Sequence, residues 1–173
     1  VWDILLPAMK PAPLAPAEAP FSKLVKKNAA LKLKPVAGEK SSVISAHVSR
    51  GRYRLEENAA GIKSISFKLH KGEHRIVMEM DHGTEAVRIG TQAYVKNELN
   101  DHMPYTSESL KKIAASGAWV SPDVYQARIY LYESPARISY MFSFEGDRLI
   151  WKTKLEQSLF GPRAPEPLSG KQE

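Results

Sequence analysis

The feature that most constrains this chain is a two-residue alternation of apolar and polar side chains, which begins near Gly51 and continues almost to the C-terminus. In the stretch RISYMFSFE, residues 137–145, a large apolar side chain stands at every second position. Successive side chains of a β-strand point to opposite faces, so this spacing predicts strands with one buried face. A helix would instead require apolar side chains three and four residues apart. The chain is therefore predicted to be mainly β.

Eight segments follow this pattern, and short polar connections separate most of them. They are residues 52–57, 62–69, 74–80, 84–90, 117–120, 124–132, 137–145 and 148–155. Connections as short as KGE at 71–73 and EGD at 145–147 require antiparallel neighbours. We expect an antiparallel up-and-down meander of about eight strands that curls into a lipocalin-like barrel or half-barrel and so hides its edges.

A proline-rich leader and a short helix precede this β region. Six of the 12 prolines lie within residues 7–35, and a Pro/Ala-rich stretch is extended and fairly stiff. We divide the chain into a hydrophobic, proline-rich linker at 1–20, a short amphipathic helix with its connection at 21–50, and a β-barrel-like domain at 51–173. The leader opens on VWDILLPAM without an initiator methionine, which we interpret as a start within a longer protein.

The leader carries a compact apolar cluster. Its members include Trp2, Leu5, Leu6 and Met9. Exposed to water, such a cluster would be a liability, so we expect it to contact an upstream domain of the same polypeptide. Self-association of the chain through this cluster is a second hypothesis.

The predicted helix at 21–33 has one apolar side, formed by Phe21, Leu24 and Val25 at helical spacing, and lysines largely on the other. Two placements stay open for it: packing on the β domain, which we favour, or lying on a membrane surface. No apolar run reaches the roughly 20 residues that a membrane span requires.

The net charge of +6 is unevenly distributed. Residues 1–54 carry 10 Lys and Arg against 3 Asp and Glu, whereas residues 55–173 carry 15 against 16. The β region therefore lacks the basic footprint of a nucleic-acid-binding surface, and we do not expect nucleic acid as a partner.

Chemistry-bearing motifs are scarce. The chain has no cysteine, which excludes a thiolate metal site, and its five histidines are scattered without ligand spacing. Ser109 opens an S-x-x-K match of the kind found in penicillin-recognising enzymes, but a pattern this short arises often by chance. The sequence predicts no catalytic residue, no metal and no cofactor for this chain.

Large aromatic side chains fall on the inward side of the later strands. They include Trp119, Tyr125, Tyr140, Phe142 and Trp151. In a barrel such residues either fill the core or line a ligand cavity. Filling is the commoner outcome, and the lining of a pocket by these five residues is the alternative.

The last third of the chain carries a series of short motifs in a characteristic order. They are Gly117-Ala118-Trp119, Tyr132-Glu133-Ser134-Pro135, Phe144-Glu145-Gly146-Asp147, Phe160-Gly161-Pro162 and Leu168-Ser169-Gly170-Lys171. With YRLE at 53–56 and GIKSISF at 61–67, they resemble the C-terminal extension of beta-lactamase-related, penicillin-binding-protein-like serine hydrolases of bacteria. The opening WDILLPAM resembles the junction that follows the catalytic domain of such a hydrolase.

The resemblance implies a non-catalytic accessory domain. In that family the acyl-enzyme chemistry belongs to the upstream domain, whose motifs this chain lacks, so no catalytic residue is carried over. We expect the β domain to pack on or modulate that absent catalytic domain. The alternative is a lipocalin-like small-molecule binding module with an aromatic-lined cavity. The sequence does not determine the substrate of the parent hydrolase, the compartment in which it acts or whether it is exported.

The sequence near the C-terminus, FGPRAPEPLSGK at 160–171, contains three prolines that must end the preceding strand. We expect the prolines to lead the chain off the last strand and across the sheet. Phe160 and Leu168 are then predicted to be buried anchors.

Overall fold

A computed structural model of the chain describes residues 2–9, 17–70, 73–100, 104, 111–156 and 164–173. The chain divides into two compact units, Val1–Leu33 and Lys34–Glu173. The first contains two helices, α1 (Trp2–Ala8) and α2 (Glu18–Ala29), and the second opens with a short helix, α3 (Ser45–Val48).

The second unit is built on ten strands. They are β1 (Arg52–Leu55), β2 (Ile62–His70), β3 (Glu73–Met80), β4 (Gly83–Ile89), β5 (Val95–Glu98), β6 (Lys112–Ser121), β7 (Val124–Leu131), β8 (Arg137–Glu145), β9 (Arg148–Glu156) and β10 (Leu168–Gln172). They form one antiparallel sheet in the order β4-β3-β2-β1-β10-β9-β8-β7-β6-β5. Each strand therefore lies beside its neighbours in sequence, and β1 lies beside β10.

This arrangement is a nearly closed up-and-down barrel, and it confirms the predicted fold class. The strand count is ten rather than about eight, because β5 and β10 were not recognised in the sequence. The segment predicted at 117–120 is the second half of the longer strand β6.

The burial pattern follows the predicted alternation. In β7, the residues Tyr125, Ala127, Ile129 and Leu131 are all buried, and the positions between them are partly exposed. The same period holds in β8 and β3. The apolar faces of the strands meet inside the barrel and form its hydrophobic core.

The barrel closes between β4 and β5 through a side chain, and between the end of β4 and β6 through an isolated backbone bridge. The Arg88 N–H donates to Asn97 Oδ1 at 2.9 Å, and Asn97 Nδ2 donates to the Arg88 carbonyl at 3.0 Å. Farther along, the Gly90 N–H donates to the Ala115 carbonyl at 3.2 Å. We call this line of contacts the seam.

The C-terminal segment differs from the sequence-based expectation. Strand β9 ends at Glu156, but the chain then returns as β10, which inserts between β9 and β1 and links them. Residues 157–163 lie outside the described ranges, and Pro165 and Pro167 precede a strand that belongs to the sheet itself, which the sequence did not predict. Leu168 pairs with Trp151 and is buried, as predicted for an anchor, whereas Phe160 lies outside the described residues.

The predicted amphipathic helix at 21–33 is present as α2, which begins three residues earlier and ends at Ala29. None of the residues in this helix is buried, so its packing on the β domain stays a prediction. No helix in the described part of the chain is long and apolar enough to cross a membrane.

Candidate functional site

The five aromatic residues singled out in the sequence all lie inside the barrel. Trp119, Tyr125, Tyr140, Phe142 and Trp151 are each at most 2% exposed. They come from four consecutive strands, β6 to β9, and are brought together by the antiparallel register. Tyr125 pairs with both Trp119 and Phe142, and Phe142 pairs with Trp151.

These rings pack against one another. The centroid of Trp151 lies 5.0 Å from that of Tyr140 and 5.2 Å from that of Phe142. Trp119 lies 5.4 Å from Tyr125 in an edge-to-face arrangement. Aromatic pairs prefer this range of separations when they are in contact.

Aromatic contacts also cross the barrel. Phe67 of β2 lies 5.0 Å from Phe142 and 5.2 Å from Phe144, both on β8. Because β2 and β8 are on opposite walls, these contacts fill the space between the walls at this level. The aromatic stripe therefore contributes to a packed core here, which weighs against an open cavity lined by all five residues.

A polar contact crosses the barrel as well. His74 Nδ1 of β3 lies 2.8 Å from Tyr125 Oη of β7, and both side chains are fully buried. Burial raises the pKa of the Tyr125 phenol and so favours its neutral form. The alternation in the predicted strands at 74–80 and 124–132 puts both residues on inward faces, but it does not indicate that β3 and β7 face each other.

Other buried polar atoms lack a hydrogen-bond partner among the described residues. They include Tyr53 Oη, Trp119 Nε1, Trp151 Nε1 and Thr153 Oγ1. Trp151 and Thr153 are successive inward positions of β9, and Thr153 pairs with Tyr140 on β8. Leaving such buried groups without partners costs free energy of folding. The β9 wall of the barrel interior can therefore form further hydrogen bonds.

Glu85 is a buried carboxylate that the sequence analysis missed. It lies on the inward face of β4 and is 2% exposed. Its Oε2 accepts the N–H of Asn100 at 2.9 Å, and its Oε1 accepts the N–H of Ala86 at 3.2 Å. The alternation through Val87 and Ile89 was the signal, since it puts position 85 on the same face. Through its bond to Asn100, Glu85 holds the connection that follows β5.

The outer surface beside β1 and β10 contains an open depression of about 600 Å³. Its charged side chains are largely paired with each other: Arg54 with Glu173 at 3.2 Å, and Lys171 with Asp147 at 3.4 Å. Exposed pairs of this kind neutralise one another, so the depression offers no concentrated charge to a ligand.

The other predicted contact region, in α1, is exposed. Trp2 and Met9 are each 71% exposed and Leu5 is 54% exposed, whereas the side chain of Leu6 lies outside the described part. Ile4 adds a further exposed apolar side chain. Trp2, Leu5 and Met9 share one side at helical spacing, and we call these three residues the α1 apolar surface.

Within the described ranges, no group of three or more His, Asp or Glu side chains is placed to hold a metal ion. Ser109 and His102 lie outside those ranges. No protein-family model and no curated protein matches this chain.

Proposed function

We propose that this chain is a non-catalytic accessory β domain of a beta-lactamase-type serine hydrolase, and that it packs on and modulates the catalytic domain. The motif order from residue 117 to residue 171 suggests this family. The observation that carries the proposal in structural terms is the α1 apolar surface, which is more than half exposed.

The argument from α1 is energetic. Burying one large apolar side chain stabilises an interface by about 1.5–3 kcal/mol. Trp2, Leu5 and Met9 are each partly exposed and together offer at most about three times that amount to a partner surface. Their exposure has no benefit for an isolated chain in water. A domain of the same polypeptide is always at hand to cover them, at a high effective concentration.

The barrel is suited to a supporting role. Its interior contains packed aromatic rings, and the charges of the depression beside β1 and β10 are largely paired. A rigid sheet of this kind can hold one wall of a neighbouring cleft in place without supplying reacting groups.

Two experiments test this proposal. The purified chain is incubated with a fluorescent penicillin and, separately, with a chromogenic ester. We expect neither labelling by the penicillin nor turnover of the ester. Labelling of the chain that disappears in the Ser109→Ala variant would contradict the proposal. The coding sequence upstream of Val1 is also read. We expect an S-x-x-K motif and a Y-x-N motif there, and a reading frame without them would contradict the assignment to this family.

A second candidate function is a small-molecule binding module, and the unpartnered polar atoms on β9 favour it. Trp151 Nε1 can only donate a hydrogen bond, so a ligand at this wall must supply an acceptor such as a carboxylate. Titration with naphthalene-2-carboxylate tests this: saturable quenching of tryptophan fluorescence, weakened in Thr153→Val, supports it. Quenching that is absent or unaffected by this substitution contradicts it.

A further inference from the structure

We propose that α2 lies on an anionic lipid surface, with its apolar side inserted at the level of the upper acyl chains. This proposal goes beyond the accessory-domain function, which depends on α1. The apolar side of α2 consists of Phe21, Leu24 and Val25, and we call these three residues the α2 apolar face.

The α2 helix is divided into two chemically distinct sides. With 3.6 residues per turn, Phe21, Leu24 and Val25 fall on one side of the helix. Lys23, Lys26 and Lys27 fall on the opposite side. The side chains of the α2 apolar face are 65%, 53% and 48% exposed, so they are available to a partner.

The positive charge of this region favours an anionic partner. Residues 17–34 carry five lysines and a single carboxylate, Glu18, and the next acidic residue in sequence is Glu39. A helix with apolar residues on one side and lysines on the other is typical of segments that lie in the plane of an anionic membrane. Each lysine near such a surface strengthens binding by about fivefold.

The chain just after α2 extends the same pattern. Leu31 is 70% exposed and Leu33 is 57% exposed, and they alternate with Lys32 and Lys34. A docking site on a folded protein would have to match both a helix and the irregular segment that follows. A lipid interface accepts both, since it imposes no fixed shape, and this favours lipid over a protein partner.

Vesicle flotation of the full 173-residue chain tests the proposal. Vesicles of phosphatidylcholine and phosphatidylglycerol at a 3:1 ratio are compared with vesicles of phosphatidylcholine alone, at about 50 mM and 500 mM NaCl. We expect binding to the anionic vesicles at low salt, with a large loss at high salt or on neutral lipid. Absence of binding to the anionic vesicles, or equal binding to both kinds, would overturn the proposal.

Two pairs of variants locate the contact. Removing three lysines of α2, in Lys23→Gln/Lys26→Gln/Lys27→Gln, should lower the partition coefficient about 100-fold. The control variant Lys40→Gln/Lys68→Gln/Lys152→Gln changes the net charge equally at exposed positions of the second unit and should bind far more tightly than that variant. An equal loss in both variants would contradict a contact through α2.

Phe21→Ser/Leu24→Ser should also weaken binding strongly. Val43→Ser/Val120→Ser, which removes exposed apolar side chains of the second unit, should not. Light scattering without lipid distinguishes the alternative partner. A dimer that Phe21→Ser/Leu24→Ser converts to a monomer would show that this face binds a second copy, which would overturn the lipid assignment.

A fluorescent label reports insertion directly. Because the chain has no cysteine, one can be introduced as Ala29→Cys, at the end of α2, or as Val43→Cys in the second unit, and coupled to a polarity-sensitive dye. The dye at position 29 should brighten and shift to the blue on addition of anionic vesicles, and the dye at position 43 should not. A shift confined to position 43 would overturn the proposal.

Discussion

The side-chain amide of Asn97 takes the place of a backbone strand partner for Arg88. It accepts from the Arg88 N–H at 2.9 Å and donates to the Arg88 carbonyl at 3.0 Å, as a neighbouring strand would. Its Nδ2 also donates to the carbonyl of Val95 at 3.1 Å, which fixes the amide in this orientation. A single buried side chain therefore makes three hydrogen bonds, two of which cross the seam of the barrel.

Replacing Asn97 by Ala should open the seam. The variant loses all three bonds, and we expect the free energy of unfolding to fall by about 2–3 kcal/mol in urea denaturation. The amide of Arg88 should also exchange its hydrogen faster, because its acceptor is removed. Glu98→Ala, at an exposed position of the same strand, is the control and should change little; an equal effect of both variants would contradict this role for Asn97.

Gly117 has no room for a side chain. A Cβ there would lie 2.5 Å from Tyr125 Oη and 2.8 Å from the Gln126 carbonyl, so Gly117→Ala should force the tyrosine away from His74. Gly146 is the matched control, since its Cβ would meet nothing within 4 Å and Gly146→Ala costs only about 1–2 kcal/mol of backbone strain at φ +62°. Thermal unfolding should show a larger loss for Gly117→Ala. A smaller loss of thermal stability in Gly117→Ala than in Gly146→Ala would mean that the close approach of Tyr125 does not restrict the residue at position 117.

Leu168 anchors the returning strand β10. It is 8% exposed and pairs with Trp151, so Leu168→Ala should remove about 2–3 kcal/mol from the free energy of unfolding by leaving a cavity beside the indole. Urea denaturation followed by tryptophan fluorescence measures this loss. Val120→Ala removes an exposed aliphatic side chain from β6 and should be nearly neutral. If the free energy of unfolding falls little in both variants, β10 does not contribute to closing the barrel.

The barrel should lose stability at alkaline pH. Burial, with a smaller contribution from Asp147, raises the pKa of Tyr53 to about 12, and burial also raises the pKa of Tyr125. The folded state thus disfavours the phenolate. The stabilisation is fully present below the unfolded pKa of about 10 and is lost as the pH rises through the folded values.

Urea denaturation at a series of pH values measures this dependence. We expect a level free energy of unfolding from about pH 7 to 9 and a decline from about pH 10 to 12. Tyr53→Phe should make the decline shallower, whereas Tyr132→Phe, at an exposed position, should not. An unchanged slope in Tyr53→Phe would show that the burial of this phenol does not govern the alkaline transition.

Local alternation was enough to predict the fold class and most strands, because each strand of the barrel has one buried face. In β8 the inward residues Ile138, Tyr140, Phe142 and Phe144 are all buried, as their spacing indicates. Strand β10 escaped detection because it follows three prolines and has one large apolar side chain, Leu168. Its position depends on the edges of β1 and β9, which exist only once the barrel forms.

The candidate sites were less accessible to sequence reasoning. Burial of the aromatic residues could be predicted, but the contact of Phe67 with Phe142 depends on which walls of the barrel face each other. The same holds for His74 and Tyr125. The closure of the barrel by Asn97 could not be predicted from side-chain periodicity, because one side-chain amide takes the place of a backbone pairing between two strands.

We have proposed that the α1 apolar surface docks this chain on the catalytic domain of a beta-lactamase-type serine hydrolase. The direct measurement is isothermal titration of that catalytic domain, expressed from the upstream coding sequence, with the 173-residue chain and its variants. We expect saturable binding that Trp2→Ser/Met9→Ser weakens at least about tenfold and that Val43→Ser/Val120→Ser leaves intact. Absence of binding, or equal affinity for both variants, would contradict the proposal.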